Sequence, residues 1–251
     1  MTTQPLALGL DAAGVDRSGV PRWCAVVVGP DGVVSAGIGG LVELITWADG
    51  LGPGPVAAIG VDIPIDHVDG PVRTADAATR AFVRPLSSTV FPTPPARVLD
   101  AISYAEANER LAASGAPKLS KQAWMLVPRI VEATELARLD PRLHEVHPEA
   151  SFREMKIQLA AAAAPEAVAD DVRITRSKKT WNGLLERRRL LAAHGIAVPE
   201  DDPALDGVMS DDVVDAAAVA WSARRIALGV ACPMPDPPEW SADGRPVAVW
   251  R

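Results

Sequence analysis

Short apolar runs separated by turn residues open the chain. LALGLD (residues 6–11), WCAVVV (23–28) and GVVSAGI (32–38) predict three strands, and GPDG between the last two favours an antiparallel meander. Helical spacing in GLVELITWADGLG (40–52) predicts a helix that stops at glycine. The run AAIGVDIPID (57–66) predicts a fourth strand, buried on both faces and ending at Asp62. The predicted order is therefore β-β-β-α-β.

The pattern becomes helical further along the chain. We predict a helical insertion over about 71–140, broken by the Pro-rich joint FPTPPARV, and then a short fifth strand in LHEVHPEASF that ends at Pro148. Helices are predicted over 150–163 and 179–194, and SDDVVDAAAVAWSARRIALG (210–229) has the strongest helical pattern. The Pro-rich residues 232–251 are predicted to form an extended strap. These elements predict a single α/β domain over 1–251.

Composition limits the class of protein. A chain of 251 residues that is 48% hydrophobic can bury one large core, and it contains no apolar run long enough to span a membrane. The N-terminal residues lack the pattern of a secretory signal, so we expect a cytoplasmic protein. A net charge of −7 argues against a surface coated in basic residues for nucleic acid, but leaves room for a local basic groove.

Acidic residues occur where the predicted elements begin or end. Asp11 closes the first strand and Asp62 closes the fourth, while Asp211, Asp212 and Asp215 lie at the start of the last helix. If the first and fourth strands are neighbours, this helix needs only to pack over their ends to gather four carboxylates. Such a cluster repels itself and must take up protons or a cation, and oxygen ligands suit Mg²⁺ or Mn²⁺.

Each acid also has an ordinary structural explanation. Acids in a first helical turn are favoured by the helix dipole, which would account for Asp211 and Asp212. An aspartate after a strand can simply form a turn, as Asp11 could in GLDAAG. Asp215 is harder to explain in this way, because it lies one turn deeper in the helix, beside apolar residues.

Several segments in order resemble a known family. Four of these segments are GLDAAG, VDIPID, EVHPEASF and DDVVDAAAVAWSA, and between them lie RTADAATRAFVRPLSSTVFPTPPARVL, LSKQAWMLVPRIVEA and GLLERRRLL. Together they resemble the domain of unknown function 429 family of predicted RNase H-like nucleases over about residues 6–230. The resemblance implies an RNase H-like fold with a mixed five-stranded sheet flanked by helices, three antiparallel strands coming first and parallel ones after. This chain has Asp66-His67 where the family tends to have glycine after DIPI. The resemblance implies catalytic acids, which in this chain are Asp11, Asp62, Asp212 and Asp215 as metal ligands, with Glu145, or else Glu149, beside them.

Basic and polar residues are candidates for phosphate contacts. Residues of the predicted insertion, together with a histidine beside the fifth strand, could bind substrate: Arg73, Arg80, Arg97, Lys121, Gln122 and His147. His147 could instead be structural. The basic segment 173–189 is a candidate nucleic-acid surface, and its Trp181 could stack on a base, although ordinary surface charge explains this segment as well.

The sequence therefore predicts a Mg²⁺- or Mn²⁺-dependent nuclease that hydrolyses phosphodiesters in nucleic acid. One alternative is a nucleotide-binding phosphotransferase of the actin and sugar-kinase type, since DAAGVDRSG is compatible with its glycine-containing turn. That class normally needs two copies of the core, and this chain has length for one. A second alternative is a non-catalytic module that binds nucleic acid through its basic segment.

Overall fold

A mixed five-stranded sheet forms the centre of the computed structural model, which describes residues 5–66, 73–164, 166, 171–241 and 243–251. The strand order is β3-β2-β1-β4-β5. The strands β1 (Ala7–Val15), β2 (Pro21–Gly29) and β3 (Gly32–Gly39) are antiparallel neighbours, while β4 (Ala58–Val61) and β5 (Leu143–Glu145) extend the sheet in parallel with β1. The predicted α/β class and mixed sheet are confirmed, and this arrangement is consistent with an RNase H-like fold.

Helices cover both faces of the sheet. One apolar cluster joins the sheet to α5 (Pro148–Ala163), α6 (Trp181–Ala193) and α7 (Ser210–Ala227). The other cluster joins the opposite face to α1 (Leu41–Asp49) and α4 (Lys121–Leu139). Alternate residues of β1 and β2 supply the two clusters, because successive side chains of a strand point to opposite faces.

The predicted insertion is helical in its described part, which starts at Arg73. It contains α2 (Thr74–Phe82), α3 (Tyr104–Ala113) and α4, with 3₁₀ turns at Ser87–Thr89 and Ala96–Val98. Residues 71 and 72 lie outside the described residues. A further 3₁₀ turn, Pro203–Leu205, precedes α7.

Three predicted boundaries differ from the structure, and one of them is the end of β5, which lies at Glu145 and not at Pro148. β1 continues to Val15, so Asp11 does not end the strand, but it is the first residue beyond the pairing of β1 with β4, which ends at Leu10 and Val61. The C-terminal strap is a two-stranded antiparallel sheet of β6 (Pro233–Trp240) and β7 (Pro246–Trp250). It folds in this way because Met234, Val247 and Val249 bury apolar side chains against the insertion.

Candidate functional site

Asp11 and Asp62 occupy adjacent positions on neighbouring strands. Leu10 pairs with Val61, and the Asp62 amide donates a hydrogen bond of 2.9 Å to the Leu10 carbonyl. Each aspartate is therefore the first residue after the parallel pairing of β1 with β4. Their carboxyl groups are close enough to interact electrostatically. The predicted convergence of these two acids is therefore present.

Helix α7 carries the third acid to the same place. The helix packs backbone against backbone on β1 at Gly9, where an added Cβ would lie 2.1 Å from the Ala220 nitrogen and 2.2 Å from the Ala216 carbonyl oxygen. Asp215, which precedes Ala216, is completely buried. Asp212 lies one turn earlier and is half-buried at the edge of the cluster.

Burial and mutual repulsion raise the pKa values of these acids. Burial, with the charges of Asp62 and Asp215, holds the pKa of Asp11 well above its ordinary value. Burial raises the pKa of Asp62 to about 6 and that of Asp215 to about 7, although Lys178 opposes both shifts. Burial and Asp211 also raise the pKa of Asp212. The cluster therefore binds protons more readily than isolated aspartates do, and a cation can take the place of those protons.

Lys178 is the main counter-ion of this cluster. Its ammonium donates a hydrogen bond to Asp215 Oδ2 and lies 3.9 Å from Asp211 Oδ2. Burial would lower the pKa of Lys178, but Asp215 and Asp11 together hold it above its ordinary value. The neighbouring Lys179 donates to Asp211. Both lysines were predicted to lie in a basic surface segment. Nothing in their local pattern indicates that the loop before α6 folds back over α7.

The donor chemistry of the cluster fits a hard divalent cation. Asp215 Oδ1 is buried and has no hydrogen-bond partner among the described residues, so one carboxylate oxygen stands ready for a cation. As the side chains stand, no three His, Cys, Asp or Glu groups in the described part of the chain surround a common point as metal ligands. The ammonium of Lys178 already occupies Asp215 Oδ2, so cation binding would require this side chain to move.

Glu145 is engaged by Arg73 instead of facing the aspartates. Arg73 donates to both carboxylate oxygens of Glu145, and Glu145 Oε2 also accepts from the Ile65 amide at 3.0 Å. Arg73 donates further to Asp76 Oδ1 at 3.0 Å and to the Ile65 carbonyl at 2.9 Å. Although burial opposes it, the carboxylates of Glu145 and Asp76 raise the pKa of Arg73. The structure therefore places Arg73 in a buried network, with no donor directed to a phosphate.

The other expected substrate-binding residues lie elsewhere. Arg80 donates to the Val90 carbonyl at 3.1 Å, and His147 Nε2 lies 3.4 Å from the Thr89 carbonyl. Arg97, Lys121 and Gln122 are exposed and do not line the cavity beside the aspartates. Of the expected substrate-binding set, His147 alone lines that cavity.

Glu149, Asp66 and His67 were also named from the sequence. Glu149, the second candidate beside the fifth strand, lines the cavity but accepts two hydrogen bonds of 2.6 Å from the buried Arg187. Asp66 is buried and pairs with Arg245 at 3.1 Å. His67 lies outside the described residues.

The basic segment 173–189 is only partly a free surface. Arg187 is fully buried, and Lys178 and Lys179 contact the aspartates of α7. Trp181 is 76% exposed at the start of α6. The segment therefore supplies counter-ions to the protein interior, and its exposed part is smaller than its composition indicates.

A cavity of about 560 Å³ opens beside the cluster. Its acidic end is formed by Asp11, Asp62, Asp211, Asp212 and Asp215, with Lys178 and Lys179 beside them. An apolar wall of the cavity comes from residues within 86–94 and from α4. The cavity volume lies within the range of about 300–1,000 Å³ that is typical of small-molecule sites.

The fold and the site together define an α/β protein with a carboxylate-lined pocket at the carboxyl ends of parallel strands. The chain belongs to the family described as Protein of unknown function (DUF429), whose model matches residues 14–240. Asp11 lies just before the matched range. No curated protein and no solved structure matches the chain. Within the described residues, none of the helices combines the length and the apolar character needed to cross a bilayer.

Proposed function

We propose that this protein is a divalent-metal-dependent phosphodiesterase that acts on nucleic acid. The observation that carries the proposal is the convergence of Asp11, Asp62 and Asp215 from β1, β4 and α7, with Asp215 Oδ1 buried and unpartnered. Burying several carboxylates together is costly unless a cation or protons compensate them. A protein that needed only a stable core would be better served by apolar residues here.

The ligands would be Asp11, Asp62, Asp212 and Asp215. When bound, Mg²⁺ or Mn²⁺ would supply a water nucleophile at neutral pH and stabilise the charge on the leaving oxygen. Asp212 is half-buried and lines the cavity.

The residues around the acids position the substrate. Lys178 and Lys179 line the cavity at its acidic end and place positive charge where a phosphate would approach the carboxylates. Glu145, fixed by Arg73, receives the Ile65 amide and so holds the chain that follows Asp62. These contacts keep the Asp62 carboxylate at the cavity instead of in solvent.

The test compares Asp215→Asn with wild-type protein in Mg²⁺- and Mn²⁺-dependent cleavage of single- and double-stranded nucleic acid. Asp31→Asn is the matched control, because Asp31 is exposed in the turn between β2 and β3. We expect Asp215→Asn to fold, to lose cleavage and to lose Mn²⁺ binding measured by calorimetry. Undiminished cleavage by Asp215→Asn would overturn the proposal.

A further inference from the structure

The apolar wall of the cavity is held in place by Arg73, Arg80 and His147, which were expected to bind substrate. Asp76, anchored by Arg73, accepts from the Thr93 amide at 2.8 Å and from the Thr93 hydroxyl at 2.9 Å. Arg80 holds the Val90 carbonyl, and His147 approaches the Thr89 carbonyl. The segment 86–94 is thus a built part of the site and not a loose loop.

This wall has the character of a base-binding surface. It is lined by Leu86, Val90, Phe91, Pro92 and Pro94, and by Leu126 of α4. Phe91 is 41% exposed, which leaves part of its ring free for a planar partner. Phosphate and sugar contacts do not require such a surface, whereas an aromatic base gains binding energy from it.

Two polar atoms that belong to residues lining the cavity have no hydrogen-bond partner in the described part of the chain. Thr79 is completely buried and lines the cavity, and its hydroxyl makes no hydrogen bond within the described residues. His147 Nδ1 is likewise buried and unpartnered there. Because leaving such buried groups unsatisfied is costly, a ligand that supplies partners would recover that free energy.

We infer that the cavity binds one unpaired nucleotide, with its base against Phe91 and the apolar wall and its phosphodiester at the aspartates. The position of the phosphate rests on the proposed function, whereas the position of the base does not. The acidic end with its lysines suits a phosphate with its cation, the apolar wall suits a base, and Thr79 and His147 line the same cavity. The substrate class is therefore a small nucleotide diester or the unpaired end of a single strand.

A continuous duplex fits this cavity poorly. A paired base must lose its pairing and stacking before it can enter a pocket, which costs free energy. Duplex binding also relies on many Lys and Arg contacts to phosphates. Among the described residues that line the cavity, Lys178 and Lys179 are the only Lys or Arg side chains.

The test measures binding of a dinucleoside phosphorothioate, which resists hydrolysis, to the full chain in Mn²⁺ by calorimetry. We expect one site per chain, and a loss of about tenfold or more in affinity for Phe91→Ala. The control is Trp181→Ala, which removes an exposed aromatic residue outside the cavity and should leave affinity unchanged. Thr79→Val, which is nearly isosteric, should weaken binding about fivefold without lowering thermal stability.

Competition separates the possible sources of the nucleotide. Displacement by a single-stranded oligonucleotide and not by a blunt duplex would assign the cavity to strand ends, while displacement by neither would assign it to free small nucleotides. Tighter binding of the duplex than of the dinucleotide, weakened by Trp181→Ala and not by Phe91→Ala, would overturn the inference. Dinucleotide binding that depends on Phe91 in a protein without cleavage or Mn²⁺ uptake would refute the proposed function and sustain the base site. Absence of dinucleotide binding by protein that takes up Mn²⁺ would refute the base site alone.

Discussion

Lys178 and Asp215 form an unequal pair: the ammonium satisfies Oδ2 of a fully buried carboxylate whose Oδ1 has no partner among the described residues. A structural ion pair normally satisfies both oxygens through further donors, as Glu145 does with Arg73 and Ile65. The Lys178–Asp215 pair is therefore better suited to exchange its cation than to hold the fold together.

Lys178→Met should weaken the folded protein in EDTA and tighten its binding of Mn²⁺. Without the ammonium, Asp11, Asp62 and Asp215 lose their main counter-ion, which we expect to lower the free energy of unfolding by about 1.5–3 kcal/mol. An incoming ion no longer has to displace a side chain, so the Mn²⁺ dissociation constant should fall about tenfold. Thermal unfolding and calorimetry measure the two effects.

Lys179→Met is the control for that comparison, because Lys179 is 68% exposed and its ion pair among the described residues is with Asp211. This variant should change the free energy of unfolding and the Mn²⁺ dissociation constant only slightly. Equal effects of the two variants, or weaker Mn²⁺ binding by Lys178→Met, would show that Lys178 is not a competing cation.

Stability without metal should fall as pH rises from about 5 to about 8. The pKa values of Asp62 and Asp215 are raised from 3.8 to about 6 and about 7, so in this interval the folded state holds protons that the unfolded chain has lost. His144 and His147 give the opposite slope, since burial lowers their pKa values. The contribution of the cluster is therefore measured as the difference between wild type and Asp215→Asn in how the melting temperature changes with pH across this range.

Mn²⁺ gives an independent check of the same titration. It should raise the melting temperature of the wild type at about pH 8 and have little effect at about pH 5, where protons occupy the carboxylates. If the stability of the wild type without metal changed with pH as that of Asp215→Asn does, the result would contradict the raised pKa values.

Gly9→Ala should disrupt the site through the backbone. The added methyl group would overlap the Ala216 carbonyl and the Ala220 nitrogen, and backbone atoms cannot rotate away. We expect α7 to shift from β1, a loss of at least about 3 kcal/mol of stability from overpacking, and weaker Mn²⁺ binding. Gly54→Ala is the matched control, because Gly54 has open space around its Cα and an ordinary φ. Wild-type stability of Gly9→Ala would show that the helix does not pack this closely.

Glu145→Gln should destabilise the protein by about 3–5 kcal/mol, because it leaves the buried Arg73 with one carboxylate partner, Asp76. Asp243→Asn breaks an exposed pair with Arg138 and should cost no more than about 1 kcal/mol. Denaturant unfolding distinguishes the two. Similar losses for both variants would mean that the Arg73 network contributes no more than surface charge does.

The sequence predicted the elements whose patterns are local. The apolar runs of the first four strands and the long α7 were found because burial on a sheet imposes its own periodicity. The convergence of Asp11, Asp62 and Asp215 followed from one assumption, that β1 and β4 are neighbours, and the register confirms that assumption.

The parts that were missed depend on contacts between distant segments. Arg73 was assigned to phosphate because an arginine on a helix has no local signal for a partner 72 residues away, which is Glu145. Lys178 was assigned to a surface for the same reason, since its partner Asp215 lies on another element. The pairing of β6 with β7 was hidden by proline, which is normally depleted in strands.

The two sides of the cavity belong to different parts of the architecture. The aspartates stand on the sheet and on α7, locked by direct main-chain packing at Gly9, whereas the apolar wall belongs to the inserted helical segment. Natural variation can therefore remodel what the pocket recognises without moving the groups that carry its charge. Relatives that keep the acids and differ between residues 74 and 139 should share one chemistry and accept different molecules.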